Sequence, residues 1–134
     1  MPNEVLIRTA NLKDVSIVAQ FNVDMAWETE HKQLSLATVT KGVNTVLEKP
    51  EHGFYMVAER QGEVIASLLV TYEWSDWRCA RFWWIQSVYV KPECRAQGVF
   101  RRLYEFLEEE AARTPGVCGF RLYVEKSNQK AQKT

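Results

Sequence analysis

Cysteine and histidine are scarce in this sequence, and each scarcity excludes a class of protein. The three cysteines, Cys79, Cys94 and Cys118, are odd in number and too widely spaced for a disulfide framework. We therefore expect reduced thiols and a cytoplasmic protein. The two histidines, His31 and His52, lie far apart in the chain and offer no zinc-binding spacing, so we expect no bound metal.

The chain also lacks an excess of either charge and lacks a long apolar run. Seventeen Lys and Arg residues balance seventeen Asp and Glu residues, which argues against a nucleic acid partner. No apolar segment approaches the ~20 residues of a membrane span, and the start MPNEVLIR has no signal-peptide pattern, so we expect no membrane partner. With 134 residues and 46% hydrophobic content, the chain is expected to form one globular domain over residues 1–134.

Hydrophobic periodicity predicts an alternation of strands and helices. In chain order, the pattern predicts a strand over 4–9, a helix after the N-cap Asn11, a helix over 34–47, a hairpin of strands 54–60 and 63–73, a strand over 81–90, a helix from Phe100 to Ala111, a strand over 119–124 and a helix beginning at Asn128. This order is typical of an α+β fold in which helices flank a mixed, mostly antiparallel sheet.

The segment from Val88 to Arg102 has the pattern of an anion-binding turn. Pro92 ends a strand and Gly98 falls where the next helix begins. The start of a helix offers unpaired backbone N–H groups and a positive dipole end, and a glycine lets a ligand approach the backbone closely. These features predict a pyrophosphate at the amides of 97–101, with added positive charge from Arg95, Arg101 and Arg102. A plain strand–turn–helix connection with surface arginines is the alternative interpretation.

This turn resembles the coenzyme A loop of the GCN5-related N-acetyltransferase (GNAT) family, which has the pattern R/Q-x-x-G-x-G/A after a strand ending in V-x-P. Arg95, Gly98 and Phe100 occupy the patterned positions, with Phe100 in place of the usual small residue. A second family signature, a strand followed by N-x-x-A, resembles Leu122–Val124 followed by Asn128–Ala131. Because both motifs occur in order on a matching succession of elements, the sequence is identified as a member of this family.

The resemblance implies an acetyl-CoA-dependent N-acetyltransferase, in which the amine of a small-molecule or peptide acceptor attacks the thioester directly. Acetyl-CoA would lie in a wedge beside the strand that ends at Val90, with a backbone N–H near Val88 as the oxyanion donor. The cofactor-binding residues that the resemblance implies are Val88, Tyr89, Val90, Arg95, Gln97, Gly98, Val99, Phe100, Arg101 and Asn128.

The general base is not obvious, because Gln86 stands where many family members have a glutamate and an amide cannot accept the proton. We take Glu73 and Asp76 as candidates, since their segment is expected to end near the mouth of the wedge. Capping of a turn is the alternative role for both. Glu28 and Glu30 fall where the family's acceptor loop usually lies, although a solvated helix face, which needs no function, is the preferred interpretation.

Tryptophan is clustered, with four of five residues between positions 74 and 84. Neighbours on a strand point to opposite faces, so Trp83 and Trp84 are not expected to share one core. We expect one of them to face the acceptor groove, and Trp74 or Trp77 to frame it. Core packing is the alternative interpretation.

The family's usual proton donor is a tyrosine on the helix that follows N-x-x-A. Counting from Asn128, it would be residue 135, so the sequence resembles a C-terminally truncated acetyltransferase that lacks the final strands. An uncovered strand edge near 119–124 leads us to expect a homodimer. The alternative function is a non-catalytic module that binds coenzyme A or associates with itself.

Overall fold

The computed structural model describes residues 4–122, which form a five-stranded sheet with helices on both faces. The α-helices and strands, in chain order, are β1 (Val5–Thr9), α1 (Val15–Glu30), α2 (Leu36–Glu48), β2 (Phe54–Arg60), β3 (Glu63–Ser75), β4 (Ala80–Val90), α3 (Val99–Arg113) and β5 (Val117–Leu122). The strand order is β1-β2-β3-β4-β5; neighbours are antiparallel from β1 to β4, and β5 runs parallel to β4. The predicted α+β fold is confirmed.

Side-chain caps lie at the 3-10 turn that leads into α1 and at the start of α2. The Asn11 side chain accepts a hydrogen bond from the backbone N–H of Lys13 and forms a capping box with Asp14, after which a short 3-10 turn leads into α1. The Ser35 side chain accepts from the backbone N–H of Thr38 at the start of α2. These bonds satisfy backbone donors that a helix start leaves unpaired. The predicted cap Asn11 is confirmed, whereas the Ser35 cap was not predicted.

Two apolar cores lie on opposite faces of the sheet. On the α3 face, which is the face that α3 covers, Leu103 and Leu107 are fully buried against Leu68 and Ile85. On the α1 face, which α1 and α2 cover, the buried residues are Ala10, Val15, Val18, Ala19, Val43, Tyr55 and Val57. Alternation of side chains along β2, β3 and β4 supplies both cores from the same strands.

An ion-pair network joins β1 to the start of α1. The Arg8 guanidinium donates to both carboxylate oxygens of Asp14, at 2.7 and 3.0 Å, and to Glu59 at 2.9 Å. Asp14 is buried and also accepts from the backbone N–H of Asn11 at 2.7 Å. Hydrogen bonds from Arg8 hold the pKa of Asp14 below its ordinary value, so the folded state favours the ionised carboxylate.

We expect Asp14→Asn to lower the free energy of unfolding at neutral pH by about 2 kcal/mol, because a buried charged partner of Arg8 is lost. The folded pKa of Asp14 lies below the unfolded one, near ~4, so its contribution is present above that pH and is lost as the pH falls through the folded pKa. Urea unfolding over a pH series measures both effects. Asp24→Asn, a half-buried aspartate of α1 bonded to Gln20, is the control; equal pH profiles for the two variants would contradict the assignment.

All three cysteines lie in the described part of the chain. Cys79 is exposed, Cys94 is buried and Cys118 is half-buried, and all three are free. None of the helices within residues 4–122 combines the length and apolar character that a membrane crossing requires. Over the same residues, no group of three or more His, Cys, Asp or Glu side chains is arranged to hold a metal ion.

Candidate functional site

A β-bulge interrupts β4 near its C-terminal end. Ser67 on β3 pairs with Tyr89, whereas Leu69 pairs with Gln86, so the ladder passes over Ser87 and Val88. Ser87 has a φ of 53°, in the left-handed region that an L-residue seldom adopts. The bulge takes the backbone of Ser87 and Val88 out of regular pairing with β3. No feature of the sequence marks its position.

Within residues 4–122, the pairing of β4 with β5 covers the first half of β4. The parallel ladder runs from Arg81 opposite Val117 to Ile85 opposite Leu122, the last described residue. Beside this end of the ladder, α3, β4 and β5 enclose a cleft of about 440 Å³, lined by Ile85, Phe100, Arg101, Tyr104, Glu105, Glu108, Phe120 and Leu122. The bulge and this cleft therefore lie next to each other, on the strand that the sequence assigns to the cofactor.

The turn that follows β4 places the start of α3 beside the cleft. Gly98 is the N-cap of α3, with a φ of 79°, and no side chain caps the helix or places an acidic group in its first turn. The first intrahelical bond of this turn runs from the N–H of Arg102 to the Gly98 carbonyl, at 3.1 Å. A Cβ added at Gly98 would meet no atom within 4 Å. Exposed, uncapped amides at the positive end of a helix dipole form a suitable site for a phosphate group.

The side chains of the turn mostly hold the protein itself together. Arg95 donates to the Val90 carbonyl and to the Glu28 carboxylate, both at 2.8 Å. Gln97 accepts from Arg60 at 3.0 Å and donates to the Glu93 carbonyl at 3.2 Å. These bonds brace the turn, so its backbone amides, rather than its polar side chains, are what it presents to a ligand.

Two further residues that the sequence assigns to the cofactor, Val99 and Phe100, have apolar contacts. Val99 is buried in the core of the α3 face, so its side chain is not available to a ligand. Phe100 is half-buried, packs against the same core and lines the cleft, with its ring 6.3 Å from that of Tyr104. Phe100 therefore both packs α3 against the core and narrows the cleft. Asn128 lies outside the described residues, as do the predicted helix that begins there and the strand residues after Leu122.

Tyr89 connects the cofactor turn to α1. Its ring packs against Phe21 with 4.9 Å between centroids, and its hydroxyl lies 3.4 Å from Glu28. Burial raises the pKa of the Tyr89 phenol, and the carboxylates of Glu28 and Asp24 raise it further, so the phenol keeps its proton at neutral pH.

Glu28 and Glu30 differ in what they contact. Glu30 is near Lys32 at 3.6 Å, both largely exposed, which agrees with the solvated face considered for it. Glu28, by contrast, holds Arg95 across 67 positions of sequence. Sequence reasoning missed this contact between α1 and the cofactor turn, and no local signal indicates it.

Glu73 and Asp76, the candidate bases, lie in different places. Glu73 is half-exposed on the α1 face, where it accepts from the Trp84 indole at 2.5 Å and pairs with Arg121 at 3.1 Å. Asp76 is exposed in the turn between β3 and β4, before Ala80. Since Ala80 is seven strand residues from Ser87, about 23 Å, the structure does not bring Asp76 to the bulge. The expectation that this whole segment ends near the wedge is therefore wrong for Asp76, because the hairpin turn forms at the opposite end of β4.

Trp83 and Trp84 lie on opposite faces of the sheet, as strand alternation predicts. Trp83 is buried on the α3 face between Phe54 and Phe120, whereas Trp84 is half-buried on the α1 face. Trp74 and Trp77 are exposed near the hairpin turn, Trp77 to 91%. Gln86 donates to Thr71 at 2.6 Å on the same face as Trp84, so the position where the family often has a glutamate is occupied by a structural amide.

Comparison with known proteins identifies the class. Residues 16–134 match the model of the acetyltransferase (GNAT) family. A possible acetyltransferase from Clostridium difficile 630 is 41% identical, with 96% of this chain and 86% of that chain covered and a TM-score of 0.87. The chain therefore belongs to the GNAT family and is an enzyme of the acetyltransferase class.

More distant structures share the fold. A predicted acetyltransferase from Clostridium acetobutylicum with acetyl-CoA is 17% identical, covers 97% of this chain and 87% of its own, and has a TM-score of 0.77. A ribosomal-protein-alanine N-acetyltransferase from Brucella melitensis biovar Abortus 2308 is 15% identical and has a TM-score of 0.79. The match covers 97% of this chain and 86% of that chain. A search of curated proteins finds no match.

Proposed function

We propose that the protein uses acetyl-CoA to acetylate a primary amine on a small-molecule or peptide acceptor. The observation that carries the proposal is the start of α3, where Gly98 opens uncapped backbone amides toward solvent beside a bulged strand and a cleft. In this proposal the amides of 97–101 hold the pyrophosphate, and Arg101, which is exposed, adds positive charge. The backbone of Val88, Tyr89 and Val90 pairs with the pantetheine arm.

The described residues fit acetyl-CoA at two places, the start of α3 and the cleft. The open space at Gly98 admits a bulky anion, and the lining of the cleft contributes Ile85, Phe100 and Phe120 to an apolar arm. When bound, acetyl-CoA supplies an activated acetyl thioester. The protein's own task is then to place an amine beside that thioester and to manage two protons.

One proton must leave the amine, which is mostly protonated at neutral pH because its pKa is near ~10. Gln86 does not accept it, since its amide is not a base and already donates to Thr71. Glu73 is the remaining candidate base on this face. It lies opposite Phe82, five strand residues or about 16 Å from Ser87, so we propose that the proton reaches it through a chain of water molecules along the sheet surface. The amine nitrogen would then bond to the acetyl carbon as the C–S bond breaks, and the second proton that the nitrogen loses as the amide forms would pass through solvent to the thiolate sulfur.

The backbone N–H of Val88 is the proposed donor to the oxyanion, because the bulge removes it from regular pairing. Tyr89 keeps its proton at neutral pH, but its hydroxyl faces Glu28, so we assign it to the support of the turn rather than to proton donation.

Coenzyme A is expected to raise the thermal midpoint by about 5–10 °C at a hundredfold excess over its Kd, since ligand binding stabilises only the folded state. Pantetheine, which lacks the pyrophosphate, is the matched ligand and should raise it much less. A panel of amines with acetyl-CoA and a thiol-release assay then tests transfer. Equal stabilisation by both ligands, or none by either, would refute the assignment of the α3 amides.

A non-catalytic coenzyme A-binding module is the second candidate, and one observation favours it. The Glu73 carboxylate is already engaged by Trp84 and Arg121, which lowers its availability as a base. Stabilisation by coenzyme A without thiol release on any amine would support this alternative. Association of two copies along β5, which is an edge strand of the described sheet, stays a prediction.

A further inference from the structure

A row of side chains runs along the α1 face of β4, away from the bulge. Its members on β4 are Gln86, Trp84 and Phe82, and Thr71 and Glu73 lie beside them on β3. All five are half-buried, and Phe82 and Trp84 belong to neither apolar core. The row is thus a partly accessible surface that leads from the bulge to the N-terminal end of β4.

Two arginines share one aromatic ring at the far end of this row. The guanidinium carbon of Arg121 lies 4.1 Å from the centroid of the Phe82 ring, and that of Arg78 lies 5.3 Å from it. Gly119 pairs with Phe82, and a Cβ added there would lie 3.2 Å from the Phe82 Cε1 atom. The lack of a side chain at Gly119 therefore allows the ring to lie over β5, where it supports Arg121.

The charges in this cluster are unbalanced toward the positive. The Arg121 Nε atom lies 3.1 Å from Glu73 Oε1, the same oxygen that accepts from the Trp84 indole. This contact leaves the two terminal nitrogens of Arg121 without a partner among residues 4–122, and over that range Arg78 has no ion pair. A planar guanidinium held by a ring and by its Nε atom presents its remaining N–H groups as a fixed pair of donors, which matches a carboxylate.

We propose that Arg121 binds a carboxylate on the acceptor, so that this enzyme selects primary amines that carry one. The proposal rests on the proposed function, which places the acceptor amine at the bulge. Arg121 is the ladder partner of Trp84, three residues from Ser87, which is about 10 Å along the strand. An acceptor that spans this distance has its amine and its carboxylate at opposite ends of an extended chain, as in an ω-amino acid or a short peptide.

The experiment compares three compounds that differ only at one end: 6-aminohexanoate, its neutral amide and 5-aminopentylphosphonate, in which a phosphonate replaces the carboxylate on the same five-methylene chain. Calorimetry in the presence of coenzyme A measures their binding without turnover, and thiol release from acetyl-CoA measures their acetylation. We expect aminohexanoate to bind about tenfold more tightly than the amide, because charge-assisted hydrogen bonds at a half-exposed site contribute on that scale. In Arg121→Gln the ratio should fall to about one.

Arg81→Gln is the matched control, since Arg81 lies on the neighbouring strand β4 but stacks on Tyr72, 4.3 Å from its ring, on the α3 face. It should keep the tenfold preference. No preference in the unmodified protein, no measurable binding of any compound, or a preference that survives in Arg121→Gln would overturn the proposal. Tighter binding of the phosphonate than of the carboxylate would overturn the carboxylate assignment.

The two readouts separate this inference from the proposed function. Preferential binding of aminohexanoate that Arg121→Gln removes, together with no thiol release, would refute acetylation while supporting the carboxylate site. Equal binding and equal acetylation of aminohexanoate and its amide would support acetylation and refute the carboxylate site.

Discussion

Gly98→Val is expected to weaken coenzyme A binding by at least about a hundredfold while the fold persists. The valine side chain would extend into open space, because no protein atom lies within 4 Å of a Cβ at this position. In our proposal that space is the approach of the pyrophosphate to the α3 amides. The positive φ of 79° adds backbone strain of about 1–2 kcal/mol, which lowers stability without unfolding a typical domain.

Gly116→Val is the matched control for this substitution. Gly116 has a φ of 83° and equally open surroundings, but it lies just before β5 rather than at the start of α3. Both variants should lose similar stability in urea unfolding, and only Gly98→Val should lose affinity in calorimetric titration with coenzyme A. Retention of parental affinity by Gly98→Val would show that the turn is not the pyrophosphate site.

Leu103→Ala is expected to lower the free energy of unfolding by about 3–5 kcal/mol, since it removes a fully buried side chain and leaves a cavity under α3. The loss is a large part of the 5–15 kcal/mol that a typical domain has. Coenzyme A affinity should fall as well, because Leu103 lies one turn into the helix whose first amides form the proposed site.

Leu36→Ala, in the first turn of α2, is the control for helix propensity, because Leu36 is 47% exposed and its truncation removes little buried surface. Urea unfolding of both variants, followed by circular dichroism, measures the difference. A loss below about 1 kcal/mol for Leu103→Ala would mean that α3 is not held by this core.

The order of strands and helices follows from local patterns, with small differences at the ends. The strand predicted over 119–124 begins earlier, at Val117, because its parallel ladder with β4 extends back to Arg81. Arg81 is distant in sequence, so the pattern around Val117 does not reveal this partner. The helix predicted over 34–47 begins at Leu36, where the Ser35 cap satisfies the first free amides. Boundaries depend on such partners, whereas the type of each element depends on its own periodicity.

The candidate site was predictable where its parts are neighbours in sequence. Pro92, Gly98 and the apolar stripe of α3 lie within one short segment, so their pattern alone indicated a strand, a turn and an open helix start. The base was not predictable in this way. Asp76 and Glu73 are three residues apart in sequence, yet the hairpin carries Asp76 into its turn and leaves Glu73 on the sheet surface.

By itself the sequence determined the α+β fold, the membership of the acetyltransferase class and the strand–turn–helix segment around Gly98, because each depends on residue type and short-range spacing. Only the tertiary structure decided the bulge at Ser87, the bond between Glu28 and Arg95, and the surface formed by Glu73, Trp84, Phe82 and Arg121. These features depend on strand register and on contacts between residues distant in the chain. A shift of register by one residue reverses which face every side chain occupies, so no local pattern specifies them.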